Sequence, residues 1–277
     1  MILMGMEKLM AELYAGTSGF AYPSWKPDFY PAKVPQKKFL EHYATRLNAV
    51  EINYTFRRTP SATTVENWVN TTPEGFCFCL KAQMKITHIL RLKNAKEMTD
   101  FFLRSIDPLR VTKRLGVVLF QLPPHLKRDV ELLAEFAAGL PEDLRYAFEF
   151  RHESWHDDSV YQVLEKHKIC CCLAESEKIE PPDVITADFV YFRLRKADYT
   201  CEDRSAIWEK SEGLLAEGKT VFCSSNTKTR RPGRSMPKHS LENFPLRYLV
   251  QGDKIDLEPR GAPLFCSTQA ALGRQWR

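Results

Sequence analysis

The stretch FCFCLK, residues 76–81, decides how the chain folds. Side chains along a β-strand alternate between two faces, so the two phenylalanines and the leucine share one face. Cys77, Cys79 and Lys81 share the other face. Bulky apolar residues thus oppose small ones, and a charged residue stands at the end of the stretch. This pattern is typical of a barrel strand, whose large residues pack outward on helices while its polar groups gather inside at the carboxyl end.

Three further stretches repeat the alternation: AVEIN (49–53), YAFEFR (146–151) and VYFRL (190–194). In each of them the charged and amide side chains share one face and come late in the stretch. An antiparallel sheet with one polar face would also alternate, but it would not concentrate charges at the late positions. The four stretches together favour parallel strands that present polar groups at a common mouth.

The first 223 residues alternate short apolar runs with longer amphipathic ones. Eight apolar runs predict strands at 13–18, 49–53, 76–81, 115–121, 145–151, 169–174, 189–193 and 220–223. Amphipathic runs predict helices near 37–47, 61–70, 95–104, 130–138, 157–167 and 204–217. Eight strands interleaved with helices predict an α/β protein with a single-domain TIM-type (β/α)8 barrel at residues 13–223. A doubly wound open sheet is the alternative, but it needs a glycine-rich turn after its first strand, and GTSGFAY (16–22) is poor in glycine.

Composition excludes several classes of protein. Of the 277 residues, 44% are hydrophobic, 27% charged and 12% aromatic, as in ordinary globular domains, which excludes a disordered or fibrous chain. No apolar run approaches the roughly 20 residues that span a bilayer, and no signal peptide is visible. The eight cysteines include Cys77, Cys79 and a consecutive trio at 170–172, all in apolar runs. We therefore expect reduced, buried thiols in a cytoplasmic protein without a membrane partner.

The formal net charge of +5 is concentrated in one part of the chain. Residues 224–277 contain ten lysines and arginines against four acidic residues, which leaves 30 against 31 for residues 1–223. The predicted barrel is thus nearly neutral, so the basic balance gives weak support to a nucleic-acid partner. We divide the chain into a leader of uncertain start codon at 1–12, the barrel at 13–223, and a basic irregular segment at 224–277.

Strand parity predicts a polar cluster at the barrel mouth. We expect catalytic roles for the titratable side chains of Glu51, Lys81, His88, Glu149 and His152. We expect substrate binding by Tyr22, Trp25, Asn53, Thr55, Gln121, Arg151, Trp155 and Arg193. So many charges are costly to desolvate unless they are paired. The alternative is therefore a set of structural ion pairs, such as Glu149 with Arg151 or Arg193, that plugs the barrel.

The expected roles follow from the chemistry of the side chains. Glu51 and Glu149 form a general acid–base pair if their surroundings push their pKa values apart. Lys81, at the end of an apolar strand, is a candidate base, electrophile or imine-forming amine, or else an ion-pair partner of either glutamate. The two arginines suit a carboxylate or a phosphate, the two histidines are natural proton shuttles, and the aromatic rings offer flat walls for a sugar or a base.

No cofactor is predicted. The side chains of Glu51, His88, Glu149 and His152 are an oxygen and nitrogen set that suits a divalent metal, but no HxH, HExxH or paired CxxC spacing supports one. The sequence also has no P-loop, GxSxG or GxGxxG motif.

Six segments of the chain resemble a known family. They are GTSGFAYPSWKPDFYP (16–31), VEINYTFRRTP (50–60), FCLKAQMKITH (78–88), LGVVLFQLPP (115–124), FEFRHESW (148–155) and VYFRL (190–194). In order and spacing they are similar to domain-of-unknown-function family 72, also called the YecE-like family. The resemblance implies a TIM-barrel fold like that of sugar isomerases and abasic-site endonucleases, and it implies no settled reaction. The family's motif residues present here are the candidate site residues named above together with Thr87.

The chain departs from the family pattern in two places. A His-Gly pair often expected just after Arg193 is replaced by Arg195 and Lys196. From about Cys223 onward, family members would finish the eighth strand and add a helix rich in Ala and Leu, whereas CSSNTKTRRPGRSMPKHSLENF is basic and lacks helical periodicity. We interpret the residues after about Cys223 as translated out of frame, with a divergent basic segment as the alternative. The eighth βα unit is then incomplete or replaced by an irregular segment.

Three functions remain open from the sequence. The first is an enzyme (hydrolase, lyase or isomerase) that uses acid–base or hydrolytic chemistry on a small polar or anionic substrate, sugar-like or phosphorylated. The second is a nucleic-acid or nucleotide-binding barrel resembling abasic-site endonucleases, whose metal-binding residues this sequence supplies only thinly. The third is a non-catalytic binding protein. The substrate, the reaction and the oligomeric state are not predicted.

Overall fold

The structure, a computed structural model, describes residues 11–175, 182–196 and 199–226. In these residues nine strands form one sheet: β1 Leu13–Ser18, β2 Ala49–Ile52, β3 Cys77–Lys81, β4 Leu115–Gln121, β5 Tyr146–Glu149, β6 Cys170–Cys171, β7 Leu173–Ala174, β8 Phe189–Leu194 and β9 Thr220–Ser225. Their order is β6-β5-β4-β3-β2-β1-β9-β8-β7, and the paired strands are parallel. The helices are α1 Phe39–Ala44, α2 Ala62–Thr71, α3 Lys96–Ser105, α4 Asp107–Val111, α5 Val130–Ala138, α6 Asp158–Lys166 and α7 Cys201–Ala216.

The sheet closes at an interrupted strand. β6 pairs with β5, β7 pairs with β8, and Cys172 joins β6 to β7 along the chain. The backbone N–H of Cys172 still donates to the carbonyl oxygen of Phe148 in β5, at 2.8 Å. The predicted strand 169–174 is therefore one barrel strand that changes its neighbour midway. The predicted TIM-type (β/α)8 barrel is confirmed.

The strand parity predicted from the sequence is also confirmed. Inward-facing side chains form a core of their own, made of Ala49, Cys77, Cys79, Val117, Leu119, Ala147, Cys170, Cys172, Phe189, Tyr191 and Phe222. The alternate residues, such as Phe78, Leu80 and Phe148, belong to a second core shared with the helices. Small residues on β2, β3 and β5 leave space inside the barrel for the rings of Tyr191 and Phe222, which pack edge to face.

Gly16 allows β1 to approach β2 closely. A Cβ atom built on Gly16 would lie 1.9 Å from the carbonyl oxygen of Ala49, far inside van der Waals contact. The Tyr43 hydroxyl of α1 donates to the same oxygen at 2.9 Å. The first two strands and their connecting helix therefore meet at a point where no side chain fits, two residues before the inward-facing Ser18 at the end of β1.

Several elements match their predicted bounds, and two strands are longer. The strands at 13–18 and 115–121 and the helix at 130–138 were predicted with the observed ends. The strand β8 is longer than predicted by one residue, at Leu194, whereas β9 continues by two residues to Ser225 and pairs with both β1 and β8. Residues 1–10 of the predicted leader and residues 227–277 of the basic segment, with its out-of-frame interpretation, lie outside the described residues. Among the described helices, none combines the length and apolar character that crossing a membrane requires.

Candidate active site

Glu51, at the carboxyl end of β2, is buried and accepts five hydrogen bonds. The Arg193 guanidinium of β8 donates from Nε to Oε2 and from Nη2 to Oε1, both at 2.7 Å. The Tyr191 hydroxyl donates to Oε2 at 2.6 Å. Ser18 Oγ and Asn53 Nδ2 donate to Oε1 at 2.9 and 2.8 Å. These donors satisfy the carboxylate in its ionised form.

Arg193 joins Glu51 to the second predicted carboxylate. Its Nη1 donates to Oε2 of Glu149, at the end of β5, and these two side chains are 2% and 1% exposed. The other oxygen of Glu149 accepts from Arg151, whose side chain is 34% exposed. Because parallel strands end at the same side of the barrel, these residues from β2, β5 and β8 converge there.

The surroundings hold Glu51 ionised. Burial raises the pKa of this carboxyl, but the charge and hydrogen bonds of Arg193, with smaller contributions from Arg195 and Tyr191, bring the pKa well below its ordinary value. Glu51 is therefore a poor proton donor near neutral pH. The expected acid–base pair of Glu51 and Glu149 is corrected, because one guanidinium binds both carboxylates.

Lys81, at the end of β3, lies beside these ion pairs without a carboxylate partner of its own among the described residues. Its Nζ donates to Gln121 Oε1 at 2.9 Å and lies 4.0 Å from the ring centre of Phe56. The pKa of Lys81 is lowered to about 7. Burial is the largest cause, and the positive charge of Arg193 lowers the pKa by more than the nearby Glu51 raises it. The amine is thus divided between its neutral and charged forms near neutral pH.

His88 lies next to Lys81 at the rim of the mouth. Its ring packs edge to face on Phe56, with centres 4.9 Å apart, and its Nδ1 is 2.9 Å from Thr87 Oγ1. Burial and the charge of Lys81 lower the pKa of His88, so the imidazole is neutral where Lys81 titrates. A neutral imidazole beside an amine of this pKa is suited to relay a proton.

Two predicted binding residues and one predicted catalytic residue have structural roles. Trp155 stacks on Phe150 with ring centres 4.9 Å apart and donates from Nε1 to the carbonyl oxygen of Leu126 at 2.7 Å. Trp25 is 3% exposed and packs in the outer core. His152 Nδ1 accepts from the Ser154 N–H at 3.1 Å, which caps a one-turn helix. Both indole rings are buried in the outer core. They therefore pack the protein interior, and the expectation that they form flat walls for a substrate is corrected.

The remaining predicted residues support the mouth. Asn53 binds Glu51, as described, and Gln121 Oε1 accepts from both Lys81 and Arg151 Nη2, the latter at 3.5 Å. The Thr55 hydroxyl is buried and contacts the carbonyl oxygens of Ile52 and Lys81 at 3.0 and 2.7 Å. The half-buried Tyr22 donates to the carbonyl oxygen of Ser18 at 2.6 Å, at the end of β1.

Sequence reasoning missed several residues at the mouth: Ser18, Phe56, Tyr191, Arg195 and Ser224. Strand parity was the available signal for Tyr191, which shares the inward face with Arg193. The same rule applied to β1 and β9 gives Ser18 and Ser224, whose hydroxyl oxygens are 3.2 Å apart. Phe56 and Arg195 lie outside the strands, where parity gives no information.

The oxygen and nitrogen side chains considered for a divalent metal are not arranged as a metal site. Across the described ranges, no group of three or more His, Cys, Asp or Glu side chains is arranged to hold a metal ion. Within the proposed set, the oxygens of Glu51 and Glu149 bind guanidinium groups, and His152 uses Nδ1 as a cap. Arginine occupies the positions that a cation would need.

We use the name mouth cluster for the charged and amide side chains that meet at this end of the barrel: Glu51, Lys81, Gln121, Glu149, Arg151, Arg193 and Arg195. Arg195 belongs to it because its Nη2 lies 3.7 Å from Glu51 Oε1. The cluster holds two carboxylates against four basic groups, so it is positively charged even when Lys81 is neutral. Such a site attracts anions.

A family model described as "Protein of unknown function DUF72" matches residues 14–236. The chain belongs to this family. Apart from Leu13, the match covers each strand of the barrel and each residue of the mouth cluster, and it confirms the resemblance found in the sequence.

Relatives of known structure show the same architecture. A DUF72 family protein of Thermotoga maritima MSB8 is 29% identical, with a TM-score of 0.69 over 78% of this chain and 92% of that one. A DUF72 family protein of Enterococcus faecalis V583 is 20% identical, with a TM-score of 0.64 over 84% of this chain and 98% of that one.

A relative found by sequence is the UPF0759 protein YunF of Bacillus subtilis (strain 168), which is 30% identical over 156 residues. That match spans 54% of this chain and 54% of YunF, or about half of each.

A more distant structure shares the fold alone. A sugar phosphate isomerase/epimerase of Parabacteroides distasonis ATCC 8503 is 8% identical, with a TM-score of 0.52 over 88% of this chain and 97% of that one. Identity this low carries no information about the residues of a site.

Proposed function

We propose that the mouth cluster is the active site of an enzyme that transfers a proton on a small polar substrate with an anionic group. The observation that carries the proposal is Lys81, an amine with a pKa of about 7 beside the ion pairs of the barrel mouth. A general base or acid is most effective when its pKa is close to the working pH. The carboxyl ends of the strands are also where TIM barrels carry their active sites.

Lys81 is the proposed proton carrier. Gln121 and the ring of Phe56 fix its Nζ from two sides, and burial together with the charges of the arginines keeps a large fraction of the amine neutral. In its neutral form the amine takes a proton from the substrate, and in its charged form it returns one. His88 is placed to exchange that proton with solvent, because its ring is only partly buried.

Arg193 and the two glutamates are the proposed rigid floor of the site. Glu51 and Glu149 neutralise Arg193, and the three side chains are nearly inaccessible to solvent. Their role is to fix the position of Arg151 and to set the electrostatic potential around Lys81. Glu51, whose pKa the charge and hydrogen bonds of Arg193 hold well below its ordinary value, stays ionised near neutral pH.

A substrate screen tests the proposal. Phosphorylated sugars, nucleotides and carboxylates are added to the full chain, and the melting temperature is measured, because a ligand that binds the folded state raises it by mass action. We expect a phosphorylated sugar or a carboxylate to raise the melting temperature. We expect its conversion to follow a pH profile with a limb near pH 7.

Two variants of one residue separate proton transfer from charge. Lys81→Arg keeps the positive charge but has no neutral form near pH 7, so we expect binding without turnover. Lys81→Met is expected to lose turnover as well. The control is Arg110→Gln, since Arg110 lies on α4 just before the amino end of β4 and pairs with Asp107 and Asp143. Unchanged turnover in Lys81→Arg, or no stabilising compound in any of the three classes, would reject the proposal.

The nucleic-acid alternative has its own outcome in the same experiment. Binding through phosphates of a duplex releases counterions, so the affinity for DNA would fall steeply with salt. A steep salt dependence together with no response to small anions would favour that alternative over a small-molecule enzyme.

A further inference from the structure

The chain that follows β8 is anchored by one carboxylate. Glu175, just after β7, uses Oε2 to accept from the backbone N–H groups of Arg195 and Lys196, at 2.6 and 3.3 Å. The Tyr199 hydroxyl donates to the same oxygen. These contacts fix the backbone at Arg195, although it lies beyond the end of the strand.

The Arg195 side chain is directed into the mouth, and its guanidinium has N–H donors that bind no acceptor in the part of the chain that the structure describes. Its Nη2 lies 3.7 Å from Glu51 Oε1, beyond direct hydrogen-bonding distance. Its Nε is buried and has no hydrogen-bond partner among the described residues. The side chain is 19% exposed, so part of it is reachable from solvent. A buried donor without an acceptor is costly, which favours an acceptor that arrives with a ligand.

Arg195 and Arg151 are the two arginines of the mouth cluster that are partly exposed, and Arg151 is already paired with Glu149. Arg193 already binds both buried carboxylates and is itself inaccessible. Arg151 is one-third exposed, and burial together with the positive charge of Arg195 lowers the pKa of its guanidinium. The ion pairs of the two arginines bring them to the same end of the barrel, Arg151 at Glu149 and Arg195 near Glu51. Two cations at one mouth gain free energy when an anion binds between them.

We propose that Arg151 and Arg195 form a subsite for the phosphate group of a phosphorylated substrate. The inference rests on the proposed function, because it specifies the anionic group of the substrate on which Lys81 would act. Guanidinium groups bind phosphate oxygens through paired N–H donors. A phosphate monoester carries about −1.5 to −2 charges at neutral pH, which matches the one to two positive charges in excess at the mouth.

Calorimetric titration of the full chain with inorganic phosphate tests the subsite. We expect Arg195→Gln and Arg151→Gln each to weaken phosphate binding at least tenfold, and Arg195→Lys to weaken it less than Arg195→Gln. Arg110→Gln, which removes an arginine at the opposite end of the barrel, should bind phosphate as the unmodified chain does. Circular dichroism confirms that each variant is folded.

Three outcomes would overturn the subsite. These are an absence of phosphate binding, phosphate binding that Arg195→Gln leaves unchanged, and malonate binding that is tighter than phosphate binding. The last outcome would indicate a carboxylate site.

A second titration separates the subsite from the role of Lys81. Sulfate does not titrate near pH 7, so any protons taken up when it binds pass from the buffer to the protein. An anion beside Lys81 raises the pKa of the amine, and we expect proton uptake at pH 7.5, measured as a dependence of the binding heat on the ionisation enthalpy of the buffer. Lys81→Met should bind sulfate without this uptake. Arginine-dependent binding without uptake in the unmodified chain would support the subsite and count against Lys81 as the proton carrier.

Discussion

Arg193 is a single guanidinium between two buried carboxylates. A buried ion pair adds little stability over an apolar pair of the same shape, but removing one partner leaves the other charge unpaired in a medium of low dielectric constant. Glu51 and Glu149 both depend on Arg193 in this way. Replacing any one of these three side chains would therefore lower the stability of the fold. This is expected of a group of residues kept for its position and charge.

Arg193→Leu tests this dependence. We expect the free energy of unfolding to fall by about 3–5 kcal/mol, because two carboxylates lose their partner. Urea unfolding followed by circular dichroism measures the change. Arg110→Leu removes an arginine whose ion pairs are exposed, and it should cost at most about 1 kcal/mol. Equal effects of the two substitutions would contradict the buried network.

Lys81→Met changes how stability depends on pH. The pKa of Lys81 is about 7 in the folded chain against an ordinary value of 10.5, so between these values the unfolded chain binds more protons. The free energy of unfolding therefore rises with pH from about 7 to 10, because the folded chain holds the amine neutral in this range. In Lys81→Met we expect this rise to be lost and the melting temperature at pH 7 to increase. A variant with the same slope as the unmodified chain would show that the amine is not desolvated.

Sequence predicted which residues converge, but not how they pair. Period-two alternation places Glu51, Lys81 and Glu149 at one end of the barrel, and the structure agrees. It does not distinguish which carboxylate Arg193 binds, because pairing depends on side-chain reach across the barrel. Parity gave no information about Trp155, which follows a strand and packs in the outer core on Phe150, where a large apolar ring is stabilised by burial.

At the scale of elements, Gly16 limits how β1 and β2 can pack. Gly16→Ala places a methyl group against the carbonyl oxygen of Ala49, and we expect a loss of about 3 kcal/mol or more. Gly213 is the matched control, because it lies within α7 with no heavy atom within 4 Å of an added Cβ. Gly213→Ala should stabilise the chain by about 0.5–1 kcal/mol through helix propensity. Thermal unfolding of both variants measures the difference, and a tolerated Gly16→Ala would show that the two strands are further apart.

Element boundaries were predictable where hydrophobic periodicity decides them. The first strand, the fourth strand and α5 have the predicted ends, and the N-caps Asp129 and Asp157 accept from the first turn of the helices they begin. The interruption at Cys172 was not predictable, because a strand that changes its neighbour keeps its alternating pattern. The one-turn π-helix Lys85–Ile89, which carries His88, also gave no signal, since five residues are too few to establish a period.

At the scale of the whole molecule, the ionisation of Glu51 makes the free energy of unfolding depend on pH in the acid range. The pKa of Glu51 is depressed in the folded chain, so its contribution is present above the ordinary value near 4.5 and is lost as pH falls through the depressed value. We expect the free energy of unfolding to decline below about pH 4.5, and the decline to be shallower in Glu51→Gln. Urea unfolding at a series of pH values checks this. An unchanged acid limb in Glu51→Gln would mean that other carboxylates dominate it.

The barrel fold followed from the count and parity of strands, and the family match agrees with it. The reaction does not follow from the same information, because the fold hosts many unrelated activities and chemistry depends on a few side chains at its mouth.

The reactivity of the thiols inside the barrel depends on how often the barrel opens. Cys77, Cys79, Cys170 and Cys172 are buried in the inner core, and burial raises the pKa of each, so they are slow nucleophiles while the ring of strands is intact. Cys201 at the start of α7 is exposed, and we expect it to react first. The rate at which an alkylating reagent labels the four interior cysteines, read by mass spectrometry, therefore measures how often the strands separate, without any engineered label.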